Sequence, residues 1–206
     1  GSDRDGVFTF VTLSDAERLA ARIKGREKAV VIGGGLIGVS VTEALMKRGV
    51  KTTLVEVKDW ILNLILDEPA SEIVERTIMK AGATVVTGQT VQRILGRPEN
   101  DHVVGGVLLT SNEQIPCDLV VIAIGVIPRT ELVAGTDIKV NRGIIVDRHM
   151  CTSVPDVYAC GDVAEAYDFT LDENRQLALL PIAHEGGRVA GYNMAGKKTI
   201  YPVSYT

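Results

Sequence analysis

The chain has 206 residues, 46% hydrophobic and 23% charged, an ordinary globular composition with room for one or two domains. A formal net charge of −4 argues against a surface that tracks a nucleic-acid backbone, and the longest apolar run, Leu119 to Ile127, is too short to span a bilayer and is broken by Gly125. Three cysteines (Cys117, Cys151, Cys160) lack C-x-x-C spacing and three histidines (His102, His149, His184) are scattered, so no metal site or disulfide framework is expected; the opening GSDRDG has no signal-peptide pattern, and the expected location is cytoplasmic, away from membrane and nucleic acid.

Val7 to Leu13 is β-prone. Ser14-Asp15-Ala16-Glu17 then reads as a capping box, with Ser14 as N-cap and Glu17 reaching back, opening a helix to about Ile23 that stops at Gly25. The densest pattern follows from Lys28 to Glu56. Ala29 to Ile32 is an apolar, β-branched run of the kind that a buried parallel strand requires. Gly33, Gly35 and Gly38 come next in G-x-G-x-x-G spacing, and Leu36, Ile37, Val41, Leu45 and Met46 then recur as on one helical face ending at Gly49. Thr52 to Val55 is a second strand, closed by Glu56.

Each part has a chemical task. Gly33 permits the tight turn out of the strand, Gly35 lets the backbone approach a pyrophosphate, and Gly38 lets helix and strand pack closely. The free N–H groups of the first helical turn then face the phosphates, helped by the helix dipole. Glu56 stands about twenty residues past the glycines, where a carboxylate binds ribose hydroxyls. The candidate cofactor-binding set for NAD(H) is therefore Gly33, Gly34, Gly35, Leu36, Ile37, Gly38, Glu56 and Val57, with Gly125 in a later turn. The carboxylate favours NADH over NADPH.

Beyond Glu56, Trp60 to Leu66 is an apolar linker. Asp67-Glu68-Pro69 opens a helix whose expected buried face is Ile73, Val74, Ile78 and Met79; Gly82 ends it, and Thr84 to Val86 reads as a third parallel strand. Val91 to Leu95, Val103 to Leu109 and Gln114 to Pro116 are short β segments around polar turns, an antiparallel meander inserted before the apolar strand Leu119 to Ile124. The expected fold is α/β: a Rossmann-like NAD(P)-binding domain with a parallel sheet and an inserted meander, over about Glu27 to Pro128. In the last third, Gly143 to Val146 and Val157 to Ala159 read as strands. Cys160-Gly161-Asp162-Val163 is a sharp strand exit, 165–180 a mixed loop, and Pro181 opens a helix reaching Met194 and Gly196. These elements look too few for a core of their own.

Together the segments GGGLIG (33–38), EAL (43–45), CDLVVIAIGVIPRTEL (117–132), VNRGIIVD (140–147), TSVPDVYACGDVAE (152–165) and HEGGRVAGYNMAG (184–196) resemble the FAD-dependent pyridine nucleotide–disulfide oxidoreductases, in particular the branch with NADH oxidases, nitrite reductase large subunits, rubredoxin reductases and coenzyme A disulfide reductases. In that family a complete NAD domain interrupts an FAD-binding domain. The resemblance implies that 1–26 connects from the FAD domain, 27–128 is the NAD domain and 129–206 is the returning part of the FAD domain. It also implies that Asp162, with Gly161, binds the FAD ribityl chain, and that the helix at Pro181, with Ala183, aims its N-terminus at the flavin ring. Cys160 reads as a packing residue.

The family's first FAD fingerprint, its redox cysteines and its C-terminal dimerisation domain have no counterpart in this sequence, so the expectation is a fragment holding a partial flavin site. Ser40 stands where many members carry a glutamate, and Arg129 where asparagine is frequent.

Three functions follow. The first is hydride transfer from NADH to FAD, and on to an unidentified acceptor, by the enzyme to which this chain corresponds. The second is a self-contained dehydrogenase, disfavoured because Tyr192 has Gly196 rather than lysine four residues on. The third is a non-catalytic NAD-binding module. No catalytic residue is assigned in any of them. The strands after Gly143 lack the partners that an FAD half would provide, so a second copy of the chain is the expected partner, giving a homodimer or larger.

Overall fold

The apolar runs at 28–32 and 119–122 form the middle of a parallel sheet in the computed structural model, which describes residues 1–24, 27–169 and 171–202. The chain divides into two compact units, Gly1–Val126 and Ile127–Thr206. The first runs β1 (Val7–Thr9), α1 (Leu13–Arg22), β2 (Lys28–Ile32), α2 (Leu36–Met46), β3 (Lys51–Val55), α3 (Glu68–Lys80), β4 (Thr84–Val86), β5 (Val91–Arg97), β6 (Asn100–Leu109), β7 (Gln114–Pro116) and β8 (Leu119–Ile122). Its five-stranded sheet has the order β1-β8-β2-β3-β4, all neighbours parallel, and the antiparallel meander β5-β6-β7 is separate. The α/β fold read from the sequence is the observed one.

Strand alternation divides the core. Ala29, Val31, Leu54, Leu119 and Val121 pack with Leu19 of α1 and with Val41 and Leu45 of α2. Val30, Ile32, Val55 and Val120 point to the other face and pack with Ile94, Val104, Val107 and Leu109 of the meander. A sheet covered on both faces needs apolar residues at consecutive positions, which is why β2 and β8 are continuous apolar runs. Cys117 lies in the meander-side cluster. Burial, and secondarily the neighbouring Asp118 carboxylate, push its thiol up to about 12, so it packs as a small apolar group.

Several elements differ from the sequence reading. The strand predicted from Val7 ends at Thr9, and residues 7–9 pair with β8 inside the first unit. Helix α1 is capped by Thr12, not Ser14. Thr12 Oγ1 accepts from Asp15 N–H at 3.1 Å, and Asp15 Oδ2 accepts from Thr12 N–H and Val11 N–H at 3.0 Å each. The shorter aspartate closes the box as a glutamate would, two residues earlier. The stop expected at Gly25 lies outside the described residues; the helix ends at Arg22.

On α3, Ile73 and Met79 are 61% and 52% exposed, whereas Ser71 is fully buried and Val74 and Ile78 are half-buried. The inner stripe is 71, 74, 75 and 78, whose polar members meet linker backbone, and hydropathy cannot flag that phase.

The second unit contains β9 (Ile144–Ile145), β10 (Ala164–Asp168), β11 (Glu173–Gln176) and α4 (Leu180–Met194). The expected strand at 157–159 is only a bridge between Tyr158 and Cys151. The expected loop at 165–180 holds an antiparallel hairpin, β10 with β11, and β9 joins β10 in parallel. The expectation of no core is also corrected: Ile144, Val146, Met150, Ala164, Ile182, Val189, Ala190 and Tyr201 form a buried cluster. The strands pair with one another, so the argument that they lack partners does not hold.

Asp15 gives a pH-dependent prediction. The backbone N–H groups of Thr12 and Val11, then Arg18 at 2.6 Å, hold its carboxyl well below the ordinary value of 3.8. A depressed folded-state value contributes stability above the unfolded-state value, and that contribution is lost as pH falls. Chemical denaturation of the wild type should therefore weaken more steeply below about pH 4 than that of Asp15→Asn, which keeps the cap acceptor but not the charge. Parallel curves would show that Asp15 carries no such linkage.

Candidate dinucleotide site

The glycine turn sits at the carboxyl end of β2. There the sheet order departs to β3 on one side and to β8 on the other, the switch point at which open parallel sheets leave a crevice. Gly33 has φ +106°, and a Cβ there would stand 2.4 Å from Ala123 O, so the turn leaves the strand directly against the end of β8. Gly38, in the first turn of α2, would place a Cβ 1.8 Å from Gly33 O; helix and strand exit touch backbone to backbone. Gly35 is the N-cap of α2, with φ −76° and ψ −174°, and nothing lies within 4 Å of where its Cβ would be. No side chain caps this helix. The N–H groups of Leu36, Ile37 and Gly38 have no acceptor within it, and Leu36 and Ile37 are exposed at its start.

Gly34 is held on both sides. Its N–H donates to Glu56 Oε2 at 2.6 Å, and its carbonyl accepts Leu62 N–H at 2.8 Å. Glu56 is buried at the end of β3, and its Oε1 also accepts Lys58 N–H at 2.9 Å. The carboxylate is thus fixed beside the glycine turn while lone pairs remain for further donors. Val57, next to it, is 57% exposed, and Gly125, with φ +107°, follows β8 into open space. The residues from Gly33 to Gly38 and Glu56 are joined by direct contacts, with Val57 and Gly125 on the adjoining chain. A backbone cradle, an uncapped helix start and a fixed carboxylate suit a pyrophosphate and a ribose diol.

The sequence reading missed Ile61 and Leu62 of the linker and Ser71 and Glu75 of α3. Leu62 has φ +54°, which no local turn residue announces.

In the second unit, Gly161 (φ +77°) and the exposed Asp162 begin a single 3₁₀ turn, Gly161–Val163. Gln176 Nε2 donates to the Asp162 carbonyl, leaving its carboxylate exposed. Ala183 lies in the first turn of α4, 3.7 Å from the Cβ position of Gly161. Helix α4 has Leu179 as N-cap, Pro181 in its first turn and no side-chain cap. Cys160 packs against Gly186. An exposed carboxylate beside a free helix start fits hydroxyl-rich and ring portions of a flavin. Among the described residues no His, Cys, Asp and Glu group could hold a metal ion, and no helix is long and apolar enough to cross a membrane.

The family model for pyridine nucleotide-disulphide oxidoreductases matches residues 1–187. An NADH oxidase of Methanocaldococcus jannaschii is 34% identical over 207 residues, covering 98% of this chain and 45% of the relative. The NAD(P)H nitrite reductase of Bacillus subtilis is 32% identical over 201 residues, covering 97% of this chain and 24% of the relative. The structure of a water-forming NADH oxidase from Lactobacillus brevis, bound to NADH, superposes with a TM-score of 0.89 at 26% identity, over 98% of this chain and 44% of that one. The chain thus spans about a quarter to a half of the length of these relatives.

The open space at Gly35 separates binding from folding. Gly35→Ala should fold with unchanged thermal stability, since its φ suits alanine, yet bind NADH roughly tenfold or more weakly because the methyl group displaces a charge-assisted contact. Gly38→Ala should fail to fold. Calorimetric titration checks the first and circular dichroism the second; normal NADH affinity in folded Gly35→Ala would remove the phosphate assignment.

Proposed function

The chain belongs to the pyridine nucleotide-disulphide oxidoreductase family, and from that premise we propose that it is the NADH-binding part, with a portion of the flavin-binding part, of an oxidoreductase that moves hydride from NADH to FAD and then to an acceptor. The observation that carries the reading is the 2.6 Å bond from Gly34 N–H to the buried Glu56 carboxylate, which joins the glycine turn and the ribose-binding acid in one rigid unit. We assign residues 27–128 to the NAD domain, with β1 of the connecting segment 1–26 completing its sheet, and 129–206 to the returning part of the FAD domain.

Gly35 and the first-turn N–H groups of Leu36, Ile37 and Gly38 hold the pyrophosphate, Gly34 anchors the turn through its two bonds, and Glu56 holds the adenosine ribose, with Val57 and Gly125 bordering the crevice. Asp162 takes the ribityl hydroxyls, and the start of α4, at Ala183, favours negative charge on the ring. When bound, FAD accepts the hydride and passes electrons onward. The acceptor differs between the relatives named above and is not assigned. A second reading, a non-catalytic NAD-binding module, is favoured by Ser40, exposed on α2 where many family members carry a glutamate.

Glu56 sets the coenzyme preference. Two backbone N–H bonds hold the carboxylate, so it cannot swing away from a 2′-phosphate, and like charges would meet. NADPH should bind roughly tenfold or more weakly than NADH. Glu56→Gln, which keeps an acceptor for Gly34 N–H, should narrow that gap. Equal affinities in the wild type would end this assignment.

Size-exclusion chromatography with visible absorbance tests the flavin and second-copy readings together. The chain has one G-x-G-x-x-G turn, assigned here to NADH, and among the described residues of the second unit the proposed flavin contacts are Asp162 and the start of α4, which suit the ribityl and ring portions. The purified 206-residue protein should be colourless. It should elute as a dimer or larger, drawn together by the exposed Phe169, Leu171, Leu179 and Leu180. A yellow protein with stoichiometric FAD would overturn the first reading, and a monomer the second.

A further inference from the structure

Gly34 C=O and Gly35 N–H belong to one trans peptide plane, so they point in opposite directions. Leu62 N–H holds the Gly34 carbonyl at 2.8 Å, and this turns Gly35 N–H away from the linker. The same geometry recurs one step back. Ile61 C=O and Leu62 N–H share a second trans plane, and Ser71 Oγ donates to the Ile61 carbonyl at 2.8 Å. A continuous row results: Ser71 hydroxyl to Ile61 carbonyl, Leu62 N–H to Gly34 carbonyl, and Gly35 N–H at the free end. Among the described residues no protein acceptor takes Gly35 N–H.

The row is braced at its far end. Ser71 and Ile61 are fully buried, and Glu75 Oε1 accepts Ile61 N–H at 3.1 Å; it is also a second acceptor for the Ser71 hydroxyl, at 3.4 Å against 2.8 Å to the Ile61 carbonyl. Leu62 keeps its left-handed backbone, φ +54°, with its N–H committed to Gly34. Hydrogen bonds in series polarise one another, most strongly in a dry interior.

We propose that Ser71, on α3, is a positioning residue for dinucleotide binding: through two peptide planes it aims and polarises Gly35 N–H toward the pyrophosphate. This rests on the NADH reading above and deepens it. The inference separates two ligands. NADH, with its pyrophosphate, depends on Gly35 N–H, whereas adenosine, without phosphates, depends on the crevice and Glu56 alone.

The test titrates NADH and adenosine calorimetrically into the 206-residue wild type, Ser71→Ala and Ser71→Thr, and records the Gly35 amide proton by ¹⁵N-resolved NMR without ligand. Ser71→Ala should weaken NADH roughly two- to fourfold, a fraction of one charge-assisted hydrogen bond, leave adenosine unchanged, and move the Gly35 amide proton upfield. Ser71→Thr, which keeps the hydroxyl, should restore both. Unchanged NADH affinity and an unmoved Gly35 resonance in Ser71→Ala overturn the proposal while the NADH reading stands. Equal weakening of NADH and adenosine also overturns it, since that is general loosening. A wild type that binds no NADH removes the underlying reading and this one with it.

Discussion

Gly34 is bonded through both of its backbone groups, to the Glu56 carboxylate on one side and to Leu62 N–H on the other, and the first unit is arranged around that double attachment. A side chain has no room there: a Cβ would stand 2.8 Å from Ile61 Cγ2 and 3.0 Å from Glu56 Cβ. The glycine turn is therefore part of the packed interior rather than a mobile loop above it. Such rigidity suits the pyrophosphate site proposed above, because N–H groups whose directions are set before a ligand arrives need no ordering on binding, and such ordering consumes affinity.

The sheet supports this by keeping its two faces distinct. One face packs helices and the other packs the meander, so β2 and β8 are buried on both sides and their carboxyl ends are fixed. Gly33 touches Ala123 just after β8, and Gly38 touches Gly33. The crevice is thus shaped by backbone contacts between strand ends, which leaves little for side chains to adjust. Under the proposed reading, coenzyme discrimination rests with the buried Glu56 carboxylate.

The second unit follows a different logic. Its hairpin, short parallel strand and α4 enclose a cluster centred on Met150, Val189 and Tyr201. Glu165, buried in β10, accepts Gly143 N–H at 2.7 Å and so fastens the approach to β9. Asn193 near the end of α4 donates to the carbonyls of His149 and Thr199 and accepts Thr199 N–H at 3.0 Å, pinning the segment at Thr199 and the loop at His149 to the helix. The buried Glu165 and the half-buried Asn193 satisfy backbone groups that longer regular pairing would otherwise cover.

By itself the sequence determined the parallel strands, the glycine turn, α2, the meander and Glu56. All are written in local signals: β-branched runs, glycines where the backbone must turn or touch, and apolar periods of two or 3.6 residues. Tertiary structure alone decided the rest. Whether Thr12 or Ser14 caps α1 depends on which carboxylate reaches which N–H, and the 164–176 hairpin forms because β10 has β9 beside it, although residues such as Glu173 and Asn174 carry no strand pattern. The path from Ser71 through Ile61 and Leu62 to Gly34 was invisible for the same reason. It is made of backbone groups and one hydroxyl brought together by folding, and such contacts leave no periodicity in the chain.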